Sequence, residues 1–325
     1  MGVRLNRLLS PVITNRSDWI DELSERVFAN ISYRANDNLI FNFGALAENS
    51  DEFGAHISPR VNISWLFNTE HSIRASYAQS KRNPSLIEAN FNNIYRLDDG
   101  TPYLIDFVSG DPDPETLTSV ELGYVGYWWK RKLLLDAKLF WERTDDYIHF
   151  IKDYSIPQPI AIPSTLFPVS VVMNQGRRTV QGGEFQLKYE AAPLDFISLS
   201  ASILETDNEA VSDINHPTNP DVPFFPTELV APKYTISLLA SKSLPRGFEV
   251  STGIYRMDKT VWLGDGDRIK GYGRIDLRLA KRWGNNRNRM MLEGIVQNLR
   301  DPYISFRDEN FFDTRAYVRF SLELL

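Results

Sequence analysis

The chain has 325 residues, of which 36 are Lys or Arg and 42 are Asp or Glu, so its formal net charge is −6. This acidic balance argues against a general nucleic-acid-binding protein, and the absence of cysteine excludes disulfide bonds and thiolate metal sites. The mean hydropathy is −0.31, and no run of about 18 apolar residues occurs, which excludes a transmembrane helix. A membrane β-barrel is compatible with these values, because the polar inner face of a barrel lowers its mean hydropathy.

Residues 1–24 form a poorly patterned N-terminal stretch. They include basic residues but lack the apolar core of about 7–15 residues that a secretory signal requires. The chain is therefore predicted to be either an intracellular protein or a piece of a longer exported chain. A β pattern starts at residue 25 and continues to residue 325, and we expect this region to form one architecture.

Apolar and polar residues alternate with a period of two from residue 25 onward, which is typical of strands with two unlike faces. The alternation predicts thirteen strands and no helix. The strands are expected near 25–34, 39–47, 57–67, 71–79, 117–128, 133–145, 181–190, 194–204, 234–241, 248–256, 271–283, 289–299 and 315–325.

The clearest strand pair is the hairpin at 117–145, which turns at Lys130-Arg131-Lys132. If Trp128 pairs with Leu133 across the turn, one face of the hairpin is continuously apolar and the other is charged. The register then places Val120 beside Trp141 and Leu122 beside Leu139 on the apolar face, with Glu121, Asp136 and Lys138 on the opposite face.

The connections alternate between tight turns and long loops. Tight turns are predicted near residues 35, 69, 130, 192, 245 and 286, and long loops near 97, 160, 218, 264 and 306. A soluble β-sandwich, which a single hairpin would also fit, has no reason to place every long loop at one end. An outer-membrane barrel has short periplasmic turns and longer extracellular loops. We therefore predict an all-β fold: an antiparallel up-and-down transmembrane β-barrel, partial, with about thirteen strands.

No constellation of catalytic or metal-binding residues is evident. The four histidines lie in four separate segments without metal-ligand spacing: His56, His71, His149 and His216. The segment 264–267 (GDGD) lacks the ordered ligands of a calcium loop and is interpreted as a turn. We expect no enzymatic activity, no metal site and no cofactor.

The long loop at 80–115 holds the residues most suited to ligand binding. Tyr95, Tyr103 and Phe107 accompany Arg96 there, and aromatic rings with a cation suit a catecholate-like, haem-like or glycan ligand. The alternative is that these aromatic side chains pack the loop against its neighbours. The loops at 146–174 and 206–230 are further candidate binding regions.

Three stretches resemble the C-terminal barrel of TonB-dependent outer-membrane receptors. They are ISPRVNISWLF with HSIRASYAQSKRNPSLIEA (57–67 and 71–89), PET with SVELGY (114–116 and 119–124), and VQNLRDPY (296–303). The positions that carry the family motifs are Pro84, Glu88, Glu121, Gly123, Asn298, Asp301 and Tyr303. The resemblance covers nearly the whole chain from about residue 25.

The resemblance implies a receptor in the outer membrane of a Gram-negative cell, in contact with lipid. Its ligand would be scarce, most often a ferric siderophore, and uptake would be energised by TonB. The family carries a plug domain that this sequence does not show, closes with about 22 strands, and usually ends in an aromatic residue, where this chain ends in Leu325. These departures predict a C-terminal fragment or the product of a truncated gene, with TonB as a partner only if a plug segment is present.

Two other functions remain open at this point: a passive porin-like barrel, and a soluble β protein that binds carbohydrate. For the fragment, we expect an open strand edge at the N-terminal side, aggregation or closure as a strained smaller barrel, and no energised uptake by the chain alone.

Overall fold

The computed structural model describes residues 1–159, 167–209, 231–261, 268–284, 288–305 and 310–324. In chain order, the strands are β1 (Gly2–Leu8), β2 (Ile20–Arg34), β3 (Leu39–Ser50), β4 (Gly54–Leu66), β5 (His71–Arg82), β6 (Asn92–Arg96), β7 (Pro102–Ser109), β8 (Glu115–Trp128), β9 (Leu133–Asp145), β10 (Ile148–Asp153), β11 (Val169–Asn174), β12 (Arg177–Ala192), β13 (Asp195–Asn208), β14 (Tyr234–Leu244), β15 (Phe248–Met257), β16 (Thr260–Val261), β17 (Arg268–Ile269), β18 (Tyr272–Gly284), β19 (Asn288–Gln297), β20 (Tyr303–Ile304), β21 (Phe311–Phe312) and β22 (Arg315–Leu324). Two short α-helices, α1 (Pro11–Thr14) and α2 (Leu86–Asn90), and the 3-10 turn Pro245–Gly247 complete the described elements.

Fourteen of these strands form one sheet, which we call the wall. Its order is β1-β2-β3-β4-β5-β8-β9-β12-β13-β14-β15-β18-β19-β22, and each neighbouring pair is antiparallel. The prediction of an up-and-down antiparallel β fold is confirmed. Strands β1 and β22 are the two edges of the wall in the described part of the chain.

The wall has one strand more than the sequence pattern predicts. Strand β1 lies within the stretch 1–24, and β2 begins at Ile20. The short β1 alternates Val3 and Leu5 with Arg4 and Asn6, but three polar or basic residues in seven positions weaken that signal. Pairing with β2, from Gly2 opposite Arg26 to Leu8 opposite Ile20, stabilises it as a strand.

The helices are a second difference from the prediction. Helix α2 forms because Ser85 caps its first turn and Glu88 reaches back to the Ser85 amide, a reciprocal arrangement that stabilises even a short helix. Neither helix in the described part of the chain is long and apolar enough to cross a membrane.

The hairpin of β8 and β9 has the predicted register. Val120 lies opposite Trp141 and Leu122 opposite Leu139. We call the side of the wall that carries these residues the apolar face, and the side that carries Glu121, Asp136 and Lys138 the charged face. Leu122 is 51% exposed and Leu139 63% exposed, so no other described part of the chain covers the apolar face at these residues.

Consecutive strands alternate in direction, so their connections fall at opposite ends of the wall. Among the described residues, one end carries short connections, and the other carries the long ones together with the short β3–β4 connection at 51–53. The β2–β3, β4–β5, β8–β9, β12–β13, β14–β15 and β18–β19 connections are short. The other end carries α1, α2 and the small sheets. Most of the predicted loop near 218, a part of the loops near 160 and 306 (160–166 and 306–309), the turn near 286 and the segment 264–267 lie outside the described residues.

Aromatic side chains collect on the apolar face near the short turns. Trp65 and Phe67 meet edge to face at 4.4 Å between ring centroids, and Trp129 meets Tyr189 in the same way at 5.9 Å. The register also places Trp128, Phe248 and Trp283 on this face near their turns. We call this set the aromatic belt.

Candidate functional site

The charged face of the wall forms an open polar groove of about 520 Å³ between β5 and β14. Its lining includes Arg74, Asp136 and Lys138, with the Lys138 ammonium 3.3 Å from the Glu184 carboxylate. The motif residue Glu121 lies on this face, opposite Ser76. Acidic and basic groups alternate across the strands, so the groove is suited to polar contacts with whatever occupies it.

The motif residue Gly123 lies buried on the charged face, opposite Arg74. A Cβ at Gly123 would lie 3.6 Å from the Arg74 guanidinium, which is an ordinary contact distance. Alanine would therefore fit there, and the space around Gly123 gives no steric reason for glycine.

At the long-loop end, the motif at 84–88 builds a latch between strands. The Arg82 guanidinium donates to Glu88 Oε2 at 2.9 Å and to Glu115 Oε2 at 2.6 Å, and the other oxygen of Glu115 accepts the Ile148 amide at 2.7 Å. Pro84 is buried and precedes the cap residue of α2. Burial alone would raise the pKa of Glu88, but hydrogen bonds from Arg82 and Ser85 bring it below its usual value. The latch fixes α2 and β10 to the ends of β5 and β8.

The latch supports a second sheet, which we call the loop sheet. It contains four strands in the order β10-β11-β7-β6, and β11 runs parallel to β7. Ile151, Val169 and Val172 are fully buried in it. Gln158 binds Ile105 as a strand residue would, accepting from its amide and donating to its carbonyl, both at 2.7 Å. Two long loops therefore combine into one unit with its own buried core.

The structure divides the four predicted ligand residues between two environments. Tyr95 and Tyr103 come together at the β6–β7 hairpin, with ring centroids 6.2 Å apart, and Tyr95 is 39% exposed. Arg96 is exposed beside them in sequence and donates to the Gly100 carbonyl at 3.3 Å and to Asn15 Oδ1 at 3.1 Å. These three residues present polar and aromatic groups at the tip of the loop sheet.

Phe107 has a different environment. Its ring lies 4.1 Å from that of Phe91, which meets Phe150 edge to face at 5.3 Å. This contact matches the alternative interpretation, in which an aromatic residue packs the loop against its neighbours. Ligand contact by any of the four residues stays a prediction.

His149 in the loop sheet is a titratable group that sequence spacing could not single out. Its ring meets Tyr147 edge to face at 4.4 Å. Burial lowers the pKa of His149 to about 4, an effect that the Glu115 carboxylate opposes and the Arg178 guanidinium reinforces. His149 is therefore neutral at physiological pH.

The C-terminal motif builds the long-loop end of the last strands. Asn298 has φ of 55° and is fully buried; its side-chain amide donates to the carbonyls of Asp301 at 3.3 Å and Phe312 at 3.2 Å. Tyr303 stacks on Tyr272 at 3.9 Å between ring centroids. Asp301 is exposed and contributes its backbone carbonyl. In the described structure, these motif residues therefore stabilise a turn.

The sequence pattern does not indicate an ion network that lies near the short turns, because the members of the network are on four different strands. Glu293 is fully buried on the charged face and accepts from Arg278 at 2.6 Å and from Arg319. Arg278 also pairs with Glu249 at 3.1 Å, and Glu249 with Arg282 at 2.6 Å. Only the strand register brings these charges together.

A family model described as TonB dependent receptor-like, beta-barrel matches residues 5–299 of the chain. No curated protein sequence matches. Among solved structures, the chain is similar to the ferric-catecholate import receptor Fiu from E. coli K12, with a TM-score of 0.64 and 13% identity over 94% of this chain and 45% of that one. It is also similar to the siderophore receptor PirA from Pseudomonas aeruginosa, with a TM-score of 0.64 and 15% identity over 98% and 51%.

The ferripyoverdine receptor of the outer membrane of Pseudomonas aeruginosa is a third such structure, with a TM-score of 0.61 and 15% identity over 94% of this chain and 39% of that one. The chain thus spans about half the length, or somewhat less, of the structures it matches. At sequence identities of 13–15%, the similarity to these structures shows a shared fold.

Proposed function

Because the chain belongs to the TonB-dependent receptor-like β-barrel family, we propose that it forms the wall and loops of an outer-membrane receptor that takes up a ferric siderophore. The observation that carries the proposal is the wall itself: fourteen antiparallel strands with one apolar face, one charged face and the long loops at one end. An outer-membrane barrel requires this arrangement, because lipid covers one face and the lumen lies on the other.

The distribution of charge supports a membrane position. An Arg or Lys on the lipid side at mid-bilayer destabilises a barrel by about 2–4 kcal/mol. Along the β8–β9 hairpin, the charged side chains Glu121, Asp136 and Lys138 share the other face. The aromatic belt near the short turns supports the same position, since Trp and Tyr concentrate where hydrocarbon meets headgroups.

For the ligand, we propose a first contact at the tip of the loop sheet. Tyr95 and Tyr103 offer aromatic faces and Arg96 a cation, a combination suited to an anionic, aromatic complex such as a ferric catecholate. Fiu is described as a ferric-catecholate import receptor and PirA as a siderophore receptor. The ferric ion is cargo in this proposal. Uptake is energised by TonB acting on a plug domain of the kind that the family carries.

The test is uptake of ⁵⁵Fe-labelled siderophores by cells that lack their own siderophore receptors and express the complete gene product that contains this chain. A catecholate, a hydroxamate and a pyoverdine form the ligand panel. We expect uptake of at least one ferric siderophore when TonB is intact and none when TonB is deleted.

Two results would contradict the proposal. Uptake that persists without TonB would favour the passive porin-like alternative. A protein that reaches the outer membrane but transports no ferric siderophore, while it transports a glycan or another solute, would assign a different ligand.

A further inference from the structure

The turn between β8 and β9 carries three consecutive exposed cations, Lys130, Arg131 and Lys132. The β2–β3 and β4–β5 turns at the same end contain Asp37 and Glu70 instead. Within the described part of the chain, the only side-chain partner of the three cations is the ring of Tyr127, whose centroid is 4.2 Å from the Arg131 guanidinium carbon. The turn therefore presents positive charge that no carboxylate of the described residues neutralises.

The backbone of this turn is unusual for the residues that it holds. Trp129, Lys130 and Arg131 have φ of 53°, 58° and 65° in succession. This left-handed conformation is unfavourable for any residue with a Cβ and would be relieved by glycine. A strained turn made of large aromatic and cationic side chains indicates that those side chains have a role of their own.

The turn also continues the aromatic belt. Trp129 is 67% exposed and lies beside Tyr189 on the apolar face. On the same face, the His71 ring lies 5.0 Å from Trp128 and its Nδ1 is 2.8 Å from the Tyr124 hydroxyl. Exposed Trp and Tyr rings are typical of the depth at which lipid headgroups begin. In the sequence, the three cations come directly after Trp128 and Trp129.

We propose that the turn at 128–132 binds the phosphate of an anionic phospholipid, such as phosphatidylglycerol, in the leaflet that the short turns face. The ammonium groups of Lys130 and Lys132 donate hydrogen bonds to phosphate oxygens, and Trp129 contacts the glycerol and upper acyl region. Arg131 lies over Tyr127 on the charged face and contributes positive charge without contacting the lipid. The occupant is a lipid and not a free phosphate, because the same turn carries an aromatic anchor that only a bilayer covers. The proposal rests on the membrane position proposed above and is independent of the siderophore.

The test compares two matched double variants of the complete protein in nanodiscs. K130Q/K132Q removes two lysines from this turn, whereas K138Q/K188Q removes two lysines from the charged face, which lipid does not contact. Lys138 is already paired with Glu184 at 3.3 Å, and Lys188 with Glu190 at 2.5 Å. Both variants change the net charge equally, and gel mobility with and without heating verifies that each is folded.

Binding is measured as quenching of tryptophan fluorescence by brominated phosphatidylglycerol or brominated phosphatidylcholine, with W129F used to isolate the Trp129 signal. We expect tighter binding of phosphatidylglycerol, a loss of roughly fivefold in affinity for each lysine removed in K130Q/K132Q, and little change in K138Q/K188Q. Raising the salt concentration should reduce the preference.

Three results would overturn the proposal: equal quenching by the two lipids, equal loss of affinity in the two double variants, or displacement of phosphatidylglycerol by millimolar inorganic phosphate. The first of these would leave the membrane position intact. Absence of quenching by either lipid would remove both the headgroup site and the membrane position.

Discussion

The wall and the loop sheet are both β structures, but they bury opposite surfaces. In the wall, residues of the apolar face such as Leu139 are exposed, while charged residues lie together on the charged face. In the loop sheet, Ile151, Val169 and Val172 are fully buried, as in an ordinary water-soluble domain. The difference fits the proposed membrane position, in which the apolar face of the wall contacts lipid and the loop sheet is surrounded by water.

The largest expected effect tests whether the apolar face of the wall contacts lipid. Leu139→Arg should destabilise folding into lipid vesicles by about 2–4 kcal/mol, because hydrocarbon cannot solvate the cation. The matched control is Gln186→Arg, opposite Asp136 on the charged face, which should change the free energy of unfolding by about 0.5 kcal/mol or less. Urea titrations followed by tryptophan fluorescence measure both. Equal effects would contradict the assignment of the two faces.

A smaller effect is expected where the two regions join. Arg82→Gln leaves the buried carboxylate of Glu115 without its cation. Breaking a fully buried pair destabilises by about 3–5 kcal/mol, and because Arg82 is 48% exposed we expect about 2 kcal/mol. Hydrogen exchange should accelerate at the Ile148 amide and in the loop sheet but not in β3 and β4.

The control for the latch is Arg7→Gln, since Arg7 pairs with Asp21 at the exposed surface. That substitution should change the stability little, because solvent screens the exposed pair. Uniform acceleration across the whole wall in Arg82→Gln would show that the latch is part of the wall and does not serve the loop sheet in particular.

Acidification should also separate the two regions. The folded-state pKa of His149 is lowered to about 4 from its ordinary value of 6.5, so between these values the unfolded loop sheet binds more protons than the folded one. Its stability therefore falls as the pH drops through this window, by on the order of 1 kcal/mol at pH 5.5. Hydrogen exchange at pH 7.5 and pH 5.5 measures this change. His149→Asn should remove it, and an unchanged pH dependence in that variant would assign the effect to another group.

The smallest expected effect concerns the ligand. Tyr95→Ala or Arg96→Gln should weaken binding of a ferric siderophore by about 0.5–1 kcal/mol each, the usual contribution of one exposed cation–π or polar contact. Calorimetric titration with a catecholate and a pyoverdine complex provides the measurement. Phe107→Leu is the control, since it should loosen the loop sheet and leave binding at the tip less affected. Wild-type affinity in both tip variants would place the ligand elsewhere.

The wall could be predicted from the sequence because its pattern is local. Each strand alternates with a period of two and pairs mainly with its neighbour along the chain, so Val120 opposite Trp141 follows from the position of one turn. Strand β1 escaped detection because it is short and mostly polar, and its partner decides its conformation.

The loop sheet could not be predicted in this way. Its strands are brief, and Ser170 pairs in parallel with Phe107 across intervening wall strands. The family motifs identified important positions but not their roles: Glu88 closes a capping box, and Asn298 supports a left-handed turn. Sequence composition placed Tyr95, Tyr103 and Arg96 in one loop, yet only the folded hairpin distinguishes their tip position from the packed position of Phe107.

The contact between Gln158 and Ile105 has a consequence for the order of assembly. The two residues are 53 positions apart, and the β8–β9 hairpin lies between them in the chain. Closing so long a loop is entropically unfavourable unless the intervening hairpin has already brought its ends together. The loop sheet should therefore form after this part of the wall, so that the surface proposed to meet the ligand matures only on a completed hairpin.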